Sequence, residues 1–468
     1  WLPDQPANAG SLNDAKNVFP VGIGYGAFPS AEEFSNTASE NINNIFVAKF
    51  GANVEVFAGG ATKLFKLDIA TLNLNDVSKA GGYGGNGAWR FEQFGNVVLA
   101  CNDNNKIQAW TIGVSTAFAD VASAAPVTKD IAVVRDFVFA GNINIGSQPD
   151  KVQWSDINDE TDWVSGATSQ SDYQIIADGG NVQAITGGEF GVIFLEKSVV
   201  RASYVGSPLF FQFDTISSGL GCLEGNSVAR YGNISFFLSD DGWYSTDGQT
   251  VTNIGLEKID RWFFGRVDLT QINTISAAVD PVKNLVVWNY ADVDGNRRIL
   301  IYNWQLQKWS RAETTSDVVG TIATLGETLE TLDSSLGYTD IDTMPASLDS
   351  RLFIGGKFLF AGAKLGKIVA FTGASITPQL ITTDVEVGYN SVATLARPQI
   401  DNGTAQIAVA SRRELDDNIE FSEFVPATTE GRCSLRSAGR YHRFNVQPTG
   451  SWTTAMAVDV DLKPQGNR

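Results

Sequence analysis

The residues able to do chemistry are few and far apart. The single histidine, His442, lies in GRYHRFNV, an alternating run that reads as a strand, with no serine or cysteine nucleophile motif beside it. A triad is therefore not expected there; a hydrogen-bonded or exposed strand histidine is. One histidine also excludes metal sites built on imidazole. Cys101, Cys222 and Cys433 are odd in number and widely spaced, which predicts buried thiols rather than a disulfide framework or a CxxC knuckle. Neighbouring acids such as Asp156 and Asp159, or Asp240 and Asp241, have the composition of a glycosidase pair. Among 52 acidic residues such neighbours arise by chance. No catalytic, cofactor or metal residue is expected, and the chain reads as a non-enzyme.

Three glycine-rich or acidic segments read as turns. DVDGN at 292–296 begins like a calcium loop but lacks the downstream glutamate and joins two strand patterns, so a hairpin turn is expected. In SDDGWYSTDGQT, Ser239, Asp241, Gly242, Asp247 and Gly248 supply the ingredients of sialidase-type Asp boxes. Aspartate and glycine are adjacent there, so the spacing fails and Asp-Gly hairpin turns remain. GGYGGNG at 81–87 does not open a helix after a strand, which argues for a loop and against a phosphate cradle. One basic feature stands out: Arg412, Arg413, Arg432, Arg436, Arg440 and Arg443. They read either as a solvated strand face or as a docking surface for an acidic neighbour, such as another copy of the chain.

That surface is conspicuous because the rest of the chain is acidic. Across 468 residues, 34 lysines and arginines oppose 52 acids, a formal charge of −18. Such a protein does not attract nucleic acid through its phosphates, though a negative wall can surround a duplex without gripping it. No apolar stretch approaches the length of a membrane span, and residues 1–30 lack a basic head followed by an apolar core. No stable membrane insertion is expected.

The elements that position these residues are strands. Forty-six glycines, with many Asn, Asp and Ser, separate short runs rich in Val, Phe and Trp. From about residue 46 one theme recurs: an apolar run, a turn, a Val/Phe strand, another turn, then a strand carrying an aromatic. Gly51, Gly95, Asp136, Gly191 and Gly232 occupy equivalent turn places and step by 44, 41, 55 and 41 residues. Four strands per 40 to 50 residues is the spacing of propeller blades. The predicted fold is all-β: a β-propeller of about six to seven blades at 46–382, with Phe94, Phe137, Phe190, Trp110, Trp154, Trp243, Trp288 and Trp304 filling the spaces between sheets. Residues 312–350 break the theme and read as an insertion with a short helix and a loop; Leu325, Leu329, Leu332 and Leu336 are close to helical spacing. Strand patterns then resume, able to complete a blade with the first strand of the domain as its closing strand. Residues 1–45 read as an extended arm with little regular structure, and 383–468 as a separate β-sandwich-like domain.

Several strings are long enough to be specific. VVRDFVFAGN, DKVQWSDINDETDWVSG, GCLEGNSVARYGNISFFLSDDGWYSTDG, AAVDPVKNLVVWNY, ILIYNWQLQKWSRA, SLDSRLFIGG and GRCSLRSAGRYHRF resemble the packaged-DNA-stabilisation, tail-hub or nozzle proteins of short-tailed, podovirus-type bacteriophages. The resemblance covers most of residues 10–450 and is strongest at 130–311. It implies a virion tail protein assembled in the host bacterial cytoplasm: a ring, expected to be a hexamer, below the portal and adaptor. Such a ring surrounds the DNA exit channel, helps retain packaged DNA and mounts fibres or spikes, while the duplex passes without sequence-specific binding. The family supplies no catalytic residues. The alternative is a receptor- or carbohydrate-binding propeller of a host-attachment fibre.

Overall fold

A computed structural model of the chain describes residues 1–6, 10–51, 53–85, 88–143, 147–323 and 358–465. Among them are six separate four-stranded antiparallel sheets and one larger, 13-stranded sheet. The small sheets span 44–76, 90–120, 128–175, 182–218, 229–253 and 318–375, the last completed by Pro29–Glu33. In the first five, and in the 318–375 part of the sixth, strands lie in chain order across the sheet, the blade pattern of a β-propeller. The larger sheet opens with the same four-strand meander, Ser276–Asp280, Leu285–Ala291, Arg297–Asn303 and Lys308–Glu313. It fills the remaining place in the circuit, between the 229–253 and 318–375 blades, and the innermost strand of the 318–375 blade packs on that of the first.

Local chemistry explains the inner hairpins. Gly51, Gly95 and Gly232 each open a two-residue loop between the first and second strands of a blade, at φ of 61°, 58° and 59°. A positive φ at the first of two loop residues suits glycine and matches the right-handed strand twist. Two of the expected equivalences are corrected. In the 128–175 blade the positive-φ position is Arg135, not Asp136. In the 182–218 blade the loop is longer, and Gly191 is already the first residue of the second strand.

Neither face of such a sheet meets water, so each blade needs neighbours. Seven apolar clusters, one at each junction, meet that need. Trp110 packs edge-on to Phe57, Phe211 onto Phe139 and Trp154, and Trp243 lies 4.2 Å from Trp288 between ring centroids. Each fully buried ring contributes about 3 kcal/mol by transfer. Phe94, Phe190 and Trp304 join the same clusters partly buried. Cys101, Cys222 and Cys433 are buried free thiols; burial raises all three above the usual thiol value, Cys222 to about 12.

The N-terminal segment is not an arm. Leu12–Lys16 runs parallel to Lys308–Glu313 and antiparallel to Gln379–Thr382. Val18–Val21 and Gly24–Ala27 form a hairpin, and Pro29–Glu33 is the outermost strand of the 318–375 blade. Arg311 clamps the first strand through a bidentate pair with Asp14 at 2.8 and 2.6 Å. The expected insertion is also narrower than drawn: 312–313 end one strand and Val318–Ala323 is another, while the leucine-rich part lies outside the described residues.

The C-terminal strands pair antiparallel but not with their neighbours in sequence: Val385–Asp401 lies between Cys433–Thr449 and Thr454–Pro464, and Thr404–Arg412 pairs with the second half of Cys433–Thr449. They are not a separate unit. Through Gln379–Thr382 and Leu12–Lys16 their hydrogen bonding continues into the propeller sheet, and Ala396, Ile407 and Phe444 share one core with Trp288 and Trp309.

Candidate docking surface

The six arginines divide into two groups with different fates. Arg443 and Arg412 turn inward onto Asp384, whose side chain is 2 % exposed. Arg443 Nε donates to Asp384 Oδ1 at 3.1 Å and its Nη2 to Oδ2 at 3.0 Å. Arg412 reaches the same Oδ2 and the carbonyl of Leu415. A carboxylate held this deeply needs cations around it, and the cations need it. The expectation that Arg412 and Arg443 belong to a docking surface is therefore corrected: both are buried fold residues.

Arg413, Arg432, Arg436 and Arg440 face solvent. Arg440 pairs with Glu386 at 2.6 Å and Arg432 with Glu430 at 3.2 Å, both exposed pairs of small energetic weight. Among the described residues no ion pair involves Arg413 or Arg436. On the outer half of Cys433–Thr449 the side chains alternate: Cys433, Leu435 and Gly439 are buried, while Ser434, Arg436, Ala438 and Arg440 are exposed. Alternation of this kind sets a basic stripe along one face.

Just past that stripe, His442 is fully buried between two hydroxyls, Ser391 Oγ at 2.8 Å from Nε2 and Ser411 Oγ at 2.7 Å from Nδ1. Desolvation lowers its pKa. Both ring nitrogens are satisfied and the group is closed to substrate, in keeping with a structural strand histidine.

The opposite edge of this region was not anticipated. Thr454–Pro464 pairs along one side with Val385–Asp401, but on its other side only Ala455 meets a strand, at Tyr25. From 456 to 464 that edge has no strand partner among the described residues. Asp459 and Asp461 are exposed on it. The other face, with Val458 and Val460, lines an apolar groove of about 660 Å³ bounded by Leu12, Ile23, Val385, Ile400 and Phe444.

A second cavity, about 430 Å³, lies at the inner strands. It holds both signs of charge: Arg90, Lys129 and Arg297 with Asp103, Glu224 and Asp317. Beside it Arg90 sits 3.6 Å from Asp130, whose other oxygen accepts from the Ile185 amide at 2.6 Å. Below them burial pushes Glu92 up to about 7, only partly offset by Arg230. Such charged inner-strand positions escape sequence reasoning, which sees only alternation.

The remaining motifs resolve as turns. Asp292 Oδ1 accepts from the amides of Asp294 and Asn296, closing the 292–296 hairpin. Asp247 Oδ1 does the same for Gln249 and Thr250. Asp156 accepts from the Gln170 amide while Asp159 caps Thr161, and Asp240 pairs with Lys197 while Asp241 binds the Tyr244 hydroxyl. Neither acid pair is poised over a shared site. Among the described residues no group of three or more His, Cys, Asp or Glu side chains could hold a metal, and no helix is long and apolar enough to cross a membrane.

No protein-family model and no curated protein matches the chain. Solved structures do resemble it in outline. A computationally designed protein, Ika8, is 14% identical over 72% of this chain and 99% of its own, with a TM-score of 0.39. The Neurospora crassa Pan2 WD40 domain is 7% identical over 74% and 90%, at 0.38. The extracellular domain of a one component system from B. thetaiotaomicron is 8% identical over 86% of this chain and 48% of its own, at 0.45. At these identities and scores the likenesses carry no functional argument.

Proposed function

We propose that the chain is a non-catalytic structural protein of a short bacteriophage tail, one copy of a ring around the DNA exit channel that helps retain packaged DNA and carries fibres or spikes. The observation that carries this reading is the resemblance of the strings within 10–450, strongest at 130–311, to tail-hub and nozzle proteins. The strings at 130–311 build successive blades rather than scattered loops. The charge of −18 supports a wall that repels a duplex and lets it slide. On this reading DNA passes between copies and not through the propeller, whose inner strands carry side chains of both charge signs around a cavity of about 430 Å³. The channel is formed between copies, with adaptor and portal proteins above. Imaging and native mass of the purified chain, alone and with the adaptor, test the reading. Closed rings wide enough for a duplex, with no duplex binding at physiological salt, are expected; isolated or trimeric particles, or tight duplex binding, refute it.

A further inference from the structure

Two open sheet edges of opposite charge lie on one three-stranded layer. Its order is Thr454–Pro464, Val385–Asp401, then the 433–442 half of Cys433–Thr449. Among the described residues the first edge is unpaired from 456 to 464. Among them the last is likewise unpaired over 433–438, because Thr404–Arg412 reaches only as far as Tyr441. Register places Leu395 opposite both Asp461 and Ser434. Alternation therefore sets Asp459 and Asp461 on the same face as Ser434 and Arg436, at opposite margins of the layer.

We infer that a second copy of this chain docks on the 456–464 edge by strand addition, and that it does so with the 433–438 edge that carries its Arg432 and Arg436. This deepens the ring reading above and rests on it for the expectation of self-association. Charge selects the geometry. Registers of the 456–464 edge on itself that set Asp459 and Asp461 opposite one another bring like charges together, which cross-strand contacts penalise, and Lys463 is that face's one cation against two acids. Against the basic edge the same residues meet Arg432 and Arg436, of which Arg436 has no ion pair among the described residues. Because the two edges differ, the contact is heterologous and propagates, closing into a ring where the rotation allows. The docked strand also covers the open side of the groove lined by Val458 and Val460, so apolar burial supplies affinity while charge supplies register.

The test uses the full chain and native mass or light scattering across concentration at low salt. Asp459→Arg with Asp461→Arg should weaken association about tenfold or more, and Arg432→Asp with Arg436→Asp should match it. All four changes in one chain should restore association, a rescue that acid-edge-to-acid-edge pairing cannot produce. All four side chains are exposed, so circular dichroism should be unchanged. Wild-type association that neither pair of changes alters overturns this contact and leaves the ring reading standing. A wild type monomeric at its highest soluble concentration overturns the contact, and rings formed only with the adaptor would then keep the ring reading alone.

Discussion

Replacing Asp384 by asparagine keeps the shape of the side chain and removes its charge, leaving two guanidinium groups without a counter-ion. The side chains of Asp384, Arg412 and Arg443 are 2, 9 and 10 % exposed, so water does not take over the lost interaction. Breaking a buried pair of this kind costs about 3 to 5 kcal/mol. The exposed Arg440–Glu386 pair, at 47 and 30 % exposure, supplies the contrast: Glu386→Gln should leave stability nearly unchanged. The three buried thiols are built-in reporters. Cys433 lies in the C-terminal sheet, whereas Cys101 and Cys222 lie between blades. Thiol labelling read by mass spectrometry should show Cys433 opening about 10²- to 4×10³-fold more readily in Asp384→Asn, with Cys101 and Cys222 changed far less. Adding Arg412→Met and Arg443→Met to Asp384→Leu should recover protection. Labelling of Cys433 no faster in Asp384→Asn than in Glu386→Gln would refute the argument that this ion cluster holds the sheet.

Glu92 is easier to keep folded as the neutral acid, since burial raises it from 4.5 to about 7. Its contribution is complete below pH 4.5 and is lost as pH rises to 7, by about 3 kcal/mol at most. Glu92→Gln should remove that slope in urea midpoints measured at successive pH values. For His442, whose folded pKa is lowered, stability is present above the unfolded value of 6.5 and falls as pH drops below it. As the chain has one histidine, its single imidazole C2 proton resonance should titrate with a midpoint below 6.5. Gly187→Ala would place a methyl 1.8 Å from the Val133 carbonyl oxygen and should cost at least about 2 kcal/mol, read as a lowered thermal midpoint.

The blades were legible because hairpins are local. In the 276–313 meander three strands and two turns could be read directly, one strand short of the four observed, since each turn lies within a few residues of its strands. The N-terminal strands were not, because Leu12–Lys16 and Pro29–Glu33 pair with Gln379–Thr382 and Lys367–Ser375, more than 300 residues away, and their Pro- and Gly-rich composition reads as loop. Alternation could have warned that adjacent Arg412 and Arg413 point to opposite faces. Nothing local could have placed Arg443, because the 442–446 stretch is covered on both sides. Asp384 escaped notice for the same reason, as its role exists only once two distant strands converge on it.

The outermost strand of the 318–375 blade also fixes when the molecule can be finished. Residues 29–33 leave the ribosome before any blade exists, yet Glu33 pairs with Lys367, 334 residues later. At ordinary synthesis rates that is roughly 20 to 70 s. For that interval the nascent chain carries an unmated strand at its start and a growing stack of sheets with an open flank. Only a chain translated past residue 375 can seal the circuit. Joining the two ends of the circuit thus acts as a completeness check, since a product truncated before residue 367 leaves Pro29–Glu33 without its partner strand.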